Sequence, residues 1–245
     1  CLVSHLDQVS HCRHSKDFRA VEAKGILFGY SPSKRRFENL GADDKNGIFI
    51  CLECLRKYDV LKVVFFREEE TGCRGSSRAY MPFFDDVRFV VQPDRKGNSD
   101  LITAISFTEL CSGEFIREAA PERWGYAENN GLMTDVLTLK ENGLEVSCAN
   151  VSCGYYNAHT DEEITVKKDL QEIYGPISAW RCAVLQGCCY PSVATVPYPT
   201  LLAIGLESSA ISFALPMADR LFVPIRTLML CAGRFLHTRF AGSTS

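Results

Sequence analysis

The stretch DVLTLKENGLEVSCANV, residues 135–151, decides how the rest of the chain is read. Asn142-Gly143 is a pair suited to a type I′ turn, where both central residues need positive φ. Folding the chain there sets Leu139 opposite Val146 and Leu137 opposite Cys148 on an apolar face. Lys140 then faces Glu145, and Thr138 faces Ser147, on a polar face. Turn and faces agree in register, so the spacing predicts an antiparallel hairpin.

Working towards the N-terminus, strands are predicted over 25–30, 47–55, 60–67, 79–84, 87–92 and 101–107. These runs are rich in Val, Ile, Phe and Tyr and are separated by Gly, Asn, Asp, Pro and Ser. Towards the C-terminus, Thr160 and Glu163 form a capping box. Val166, Leu170, Ile173 and Tyr174 then share a face, and Gly175-Pro176 stops a helix over 161–174. A second helix is predicted over 224–239, opened by Pro224, with Ile225, Leu228, Met229, Ala232 and Leu236 at helical spacing. Shorter helices fit 16–23, 107–120 and 208–215. Strands first and helices later give a β-rich α+β fold with predominantly antiparallel sheets and two or more packed helices. One globular domain over 1–245 is the preferred organisation, with two lobes, about 1–120 and 121–245, as the alternative.

Composition narrows the function classes. The 245 residues are 46% apolar and 23% charged, with a formal net charge of -3. These values fit an ordinary globular chain and advertise no surface for nucleic acid. No segment carries the roughly 20 uninterrupted apolar residues of a membrane span. Twelve cysteines are too few for a disulfide scaffold at this length. They read as reduced, buried thiols of an intracellular protein. The alternative is a secreted, disulfide-bonded binding protein glycosylated at the Asn150-Val151-Ser152 sequon.

Candidate ligands crowd the N-terminus. His11, Cys12 and His14, joined by Cys51 and Cys54 downstream, supply the N and S donors of a structural zinc site. Nucleophile elbows, phosphate loops and H-E-x-x-H are absent. His159, just ahead of the Thr160 cap, and His237 read as structural. Asp43-Asp44, Asp85-Asp86 and Glu68-Glu69-Glu70 read as turns or solvated loops, because acid/base pairs work across a cleft. Phe83, Tyr155 and Tyr156 are the candidate anchors for a protein partner. The preferred reading is a non-enzymatic protein-interaction or regulatory domain, extending to a viral or host-modulating accessory protein. An enzyme with dispersed catalytic residues stands as the other alternative.

Overall fold

The computed structural model describes residues 1–12 and 14–186. In chain order the strands and helices are β1 (Leu2–His5), β2 (Arg19–Ala23), β3 (Ile26–Ser31), β4 (Arg36–Phe37) and α1 (Ala42–Lys57). Then come β5 (Val63–Phe66), β6 (Phe89–Arg95), β7 (Asp100–Ile105), β8 (Thr108–Glu109), α2 (Gly113–Ala119), β9 (Ala127–Asn130) and α3 (Asp135–Glu141). The last are β10 (Ser147–Ser152), β11 (Tyr155–Tyr156), β12 (Ile164–Val166), α4 (Lys167–Glu172) and α5 (Tyr174–Gln186).

The main sheet runs β5-β1-β6-β10-β7-β8, with β9 also on β7. Its first four strands are mutually parallel, with Leu2 opposite Val63 and Cys148 opposite Val90. This corrects the expectation of predominantly antiparallel sheets. Strands covered on both faces read as continuous apolar runs. Val63-Val64-Phe65-Phe66 is such a run, and Val64, Phe65, Phe66, Val90, Val91, Cys148 and Ala149 are all buried. Antiparallel pairing does hold in the smaller sheet, β11-β12-β3-β2 with β4 on β3.

The predicted hairpin over 135–151 is instead a helix, a turn and a parallel strand. Val136 and Leu139 bury one side of α3, a spacing that serves a helix turn as well as a strand face. Gly143 has φ 97, but Asn142 has φ -78, so the I′ geometry is not adopted. Asn142 N–H instead donates to Thr138 O at 2.9 Å and closes the helix.

Residues 47–55 form a helix and not a strand. Gly47, Ile50, Cys51 and Cys54 recur at three and four residues and bury together. Glu53 pairs outside with Arg56, and Arg56 and Lys57 sit in the last turn, where cations are favoured. The helix packs on β1 and β6.

The helix predicted over 161–174 starts later. Thr160 Oγ does accept from Glu162 N–H, but the chain then extends as β12 against β3, and helix begins only at Lys167. Within 79–84, residues Met81–Phe84 form one short 3-10 turn, and 19–23, expected to be helical, are β2. The strands predicted over 25–30, 60–67, 87–92 and 101–107 overlap β3, β5, β6 and β7. The helices predicted over 208–215 and 224–239, with Cys188, Cys189, Cys231 and His237, lie outside the described residues.

Candidate metal centre

In sheets with parallel strands, sites form beyond the carboxyl ends of the strands, where side chains from several segments converge. Here β1 ends at His5, β5 is followed by Glu69 and Glu70, and β6 carries Asp94 near its end. Asp43 and Asp44 stand at the irregular start of α1, joined by a cis peptide. His159 lies in the loop after β11, with φ 65.

One carboxylate sits at the middle of this group. Asp43 Oδ1 lies 3.1 Å from His5 Nε2, and Asp43 Oδ2 lies 3.1 Å from His159 Nε2. Each imidazole nitrogen also faces a second carboxylate. His5 Nε2 is 3.5 Å from Asp94 Oδ1, and His159 Nε2 is 3.1 Å from Glu70 Oε1. Glu70 Oε1 is nevertheless buried without a hydrogen bond. The cluster opens into a cleft of about 1140 Å³ lined in part by Asp43, Glu69, Glu70, Asp94 and His159.

A shell of fixed donors and acceptors holds these groups. Asp7 accepts from the backbone N–H groups of Glu69 and Glu70, each at 3.1 Å, and its carbonyl lies 3.1 Å from His5 Nδ1. It thus fixes the ring and the two glutamates together. Glu163 accepts from Ala42 N–H at 2.7 Å and Asp43 N–H at 3.3 Å, anchoring the start of α1. Asp44 accepts from Ser4 Oγ at 2.5 Å, His5 N–H at 3.3 Å and Gly47 N–H at 2.9 Å. Gln92 Nε2 donates to Asp94 Oδ2 at 2.9 Å. Support of this kind orients ligands in metal sites.

The electrostatics are those of a site with too few cations. Burial and the neighbouring Asp94 and Asp135 push Glu69 up to about 9. Burial, opposed by His5, leaves Asp94 raised to about 7. Asp44 is also raised, by burial and by Asp94. Asp43 goes the other way: its contacts with His159 and His5 outweigh burial and hold it below the usual carboxylate range. Burial disfavours the His5 imidazolium, but Asp94, Asp43 and Asp7 raise it above its ordinary value. His159 is raised to about 9, chiefly by Asp43. Buried carboxylates need compensating charge. Two imidazoles facing Asp43, Asp44, Glu69, Glu70 and Asp94 do not supply it. Oxygen and imidazole donors of this number and spacing fit divalent cations such as zinc or manganese. Three overlapping groups among the described residues are able to hold an ion, and all are drawn from His5, Asp43, Asp44, Glu69, Glu70, Asp94 and His159.

The five residues expected to bind zinc are not brought together. His11 Nε2 lies 3.0 Å from His159 O, and His14 stacks on Phe18 with its Nε2 2.7 Å from Asn39 O. Cys12 is half-buried, and Cys51 and Cys54 are buried in the core under α1. Of the expected partner anchors, Tyr155 is 4% exposed, with its hydroxyl 3.5 Å from Asp94 Oδ1. Tyr156 donates to Asp169 at 2.6 Å, and both tyrosines line the cleft. Phe83 packs edge-on against Phe84 with Lys62 over its ring. The Asn150 sequon lies within β10 with its side chain buried, and no disulfide joins the nine described cysteines. No helix among the described residues is long and apolar enough to cross a membrane.

Of the groups that converge, Asp43, Asp44, Glu69 and Glu70 read from sequence as turns or loops, and His159 as a structural residue ahead of the Thr160 cap. A usable signal was present: Val-Val-Phe-Phe runs into Glu68-Glu69-Glu70, and Val90-Val91 leads to Asp94, each a buried strand delivering carboxylates at its end.

No family model matches the chain, and no curated protein matches it in sequence. Solved structures do share its fold. Aminopeptidase PepT from Bacillus cereus superposes with a TM-score of 0.57 over 75% of this chain and 80% of that one, at 12% identity. A tripeptidase from Staphylococcus aureus superposes with a TM-score of 0.56 over 76% and 80%, at 13% identity. At these identities the likeness is one of fold. It corrects the reading as a non-enzymatic regulatory, viral or secreted binding protein with a protein partner: the chain has the fold of peptidases, and its strand ends gather a buried His–carboxylate cluster.

Proposed function

We propose that this chain is a two-metal peptidase acting on the amino ends of short peptides. The observation that carries this reading is Asp43, whose two carboxylate oxygens face two different histidines, each with its own second carboxylate. A carboxylate shared in this way suits a pair of cations, an arrangement used by aminopeptidases among other hydrolases. His5 and Asp94 would hold one cation and His159 and Glu70 the other, with Asp43 common to both. Divalent cations there supply Lewis-acid polarisation of the scissile carbonyl and a more acidic water. The fold shared with an aminopeptidase and a tripeptidase supports a peptide as substrate.

Glu69 is the chain's proton carrier in this reading. It is partly buried on the cleft wall, beside the ligands without being needed as one. With cations bound beside it, Glu69 would be ionised, and its carboxylate would take a proton from the attacking water as the new C–O bond forms. It returns that proton to the amine nitrogen as the C–N bond breaks. Asp7, through the Glu69 N–H, keeps that carboxylate in place.

The test is elemental analysis of the purified protein alongside hydrolysis of Leu-Gly-Gly. Two divalent cations per chain are expected, and Asp43→Ala should retain fewer than one and lose hydrolysis. Two cations retained by Asp43→Ala would overturn the shared-carboxylate reading.

A further inference from the structure

Asn150 poses a question that the cation ligands do not answer. It is 6% exposed on the cleft wall, in β10 opposite Gln92 of β6, and its Oδ1 is buried without a hydrogen-bond partner. The orientation of its amide follows from a chain of bonds. Gln92 Oε1 accepts from Val136 N–H at 3.1 Å, which only a carbonyl oxygen does. Thr134 Oγ1 therefore donates to Gln92 Oε1, at 2.8 Å, and is left as an acceptor. Asn150 must then present Nδ2 to Thr134, at 3.1 Å, which turns Oδ1 away from that hydroxyl. A buried acceptor left unpaired is costly, and a ligand that brings a donor removes the cost.

The same cleft has an apolar wall. Ile102 pairs with Asn150 across β7 and β10, and Leu132 and Met133 stand 80% and 59% exposed beside it. Gly131 lets this loop lie against Ile102, since a Cβ there would overlap the isoleucine side chain. Exposed leucine and methionine in a cleft whose opposite wall is acidic make a surface for one apolar side chain.

Resting on the peptidase reading, we infer that Asn150 Oδ1 accepts a hydrogen bond from a substrate nitrogen. The adjoining apolar side chain of the substrate then rests on Leu132 and Met133, which the buried Ile102 backs. The substrate class is a peptide with a bulky aliphatic residue beside the scissile bond. The donor is an N–H, supplied by either the terminal ammonium or a backbone amide.

The experiment measures binding by calorimetry to the protein as purified, with ligands that are not cleaved. L-leucinol carries the ammonium, N-acetyl-L-leucinol carries only an amide N–H, and 4-methylpentan-1-ol carries no nitrogen. Wild type should bind at least one nitrogen-bearing ligand about tenfold or more tighter than the nitrogen-free one. Asn150→Ala should erase that preference, and the ligand whose advantage disappears identifies the donor. Comparing ligand and variant together separates Asn150 from the general attraction of the acidic wall for an ammonium. A preference that survives in Asn150→Ala overturns the inference. Should that variant fail to fold, the exposed pair Leu132→Ser and Met133→Ser decides. It should lose the preference for L-leucinol over 2-aminoethanol with its Tm unchanged, and a retained preference overturns the inference. Wild type that binds L-leucinol through Asn150 yet cleaves no peptide would strike the peptidase reading and leave this one standing.

Discussion

At the scale of single residues the site is a division of labour among carboxylates, set by what each one touches. Asp43 meets two imidazoles and is held ionised, whereas Glu69, with Asp94, Asp135 and Glu70 for neighbours, is held high. A pair of carboxyl groups pushed in opposite directions is the pattern of ligand and proton carrier. Glu69→Gln keeps the shape and removes the proton acceptor. It should lower kcat by about 10²- to 10⁴-fold with cation content unchanged. An unchanged kcat would remove Glu69 from the mechanism, and lost cations would make it a ligand. None of these roles was legible in sequence. Asp43-Asp44 resembles any acidic pair ahead of a helix, and His159 resembles a residue beside a cap, because the partners that change their chemistry lie far away in the chain, as Asp43 and His159 do from each other.

At the scale of elements, the start of α1 has to approach the sheet closely enough to put Asp43 over the end of β1. Gly47 makes that approach. A Cβ there would overlap both carboxylate oxygens of Asp44 and the carbonyl oxygen of Pro93 in β6. Gly47→Ala should destabilise the fold by about 1–3 kcal/mol through overpacking, despite the higher helix propensity of alanine. Denaturant unfolding measures this directly, and a stabilised variant would show that α1 has room to move. The helix itself was read as a strand, since Ile48-Phe49-Ile50-Cys51-Leu52 is apolar at every position and has no clear period. Burial against β1 and β6 supplied the helical answer, and a helix covered on most sides loses the polar stripe that reveals it.

At the scale of the molecule, the formal charge of -3 conceals a local excess of negative charge at one edge of the main sheet. Charge that burial concentrates there opposes folding until cations balance it. A cation that binds only the folded chain stabilises it by about 4 kcal/mol at a thousand times its Kd. Chelation should therefore lower Tm by several degrees, and zinc or manganese should restore it. A Tm indifferent to chelator and added metal would show that the cluster holds no cation.

The sequence by itself determined that the chain combines sheet and helix, and it located β3, β5, β6 and β7, because burial of Val, Ile and Phe runs is a local property of the pattern. Strand direction, the identity of α1 and α3, and the site were decided only by the tertiary structure. An apolar run states that it is buried but not which neighbour it runs beside. Once β5, β1, β6 and β10 lie parallel, their carboxyl ends meet at one edge. Side chains from residues 5, 43, 70, 94 and 159 then come within 4 Å of one another, pair by pair. Only that convergence, in a buried cleft of low dielectric, gives ordinary acids and histidines the altered affinities for protons and metals on which a function depends.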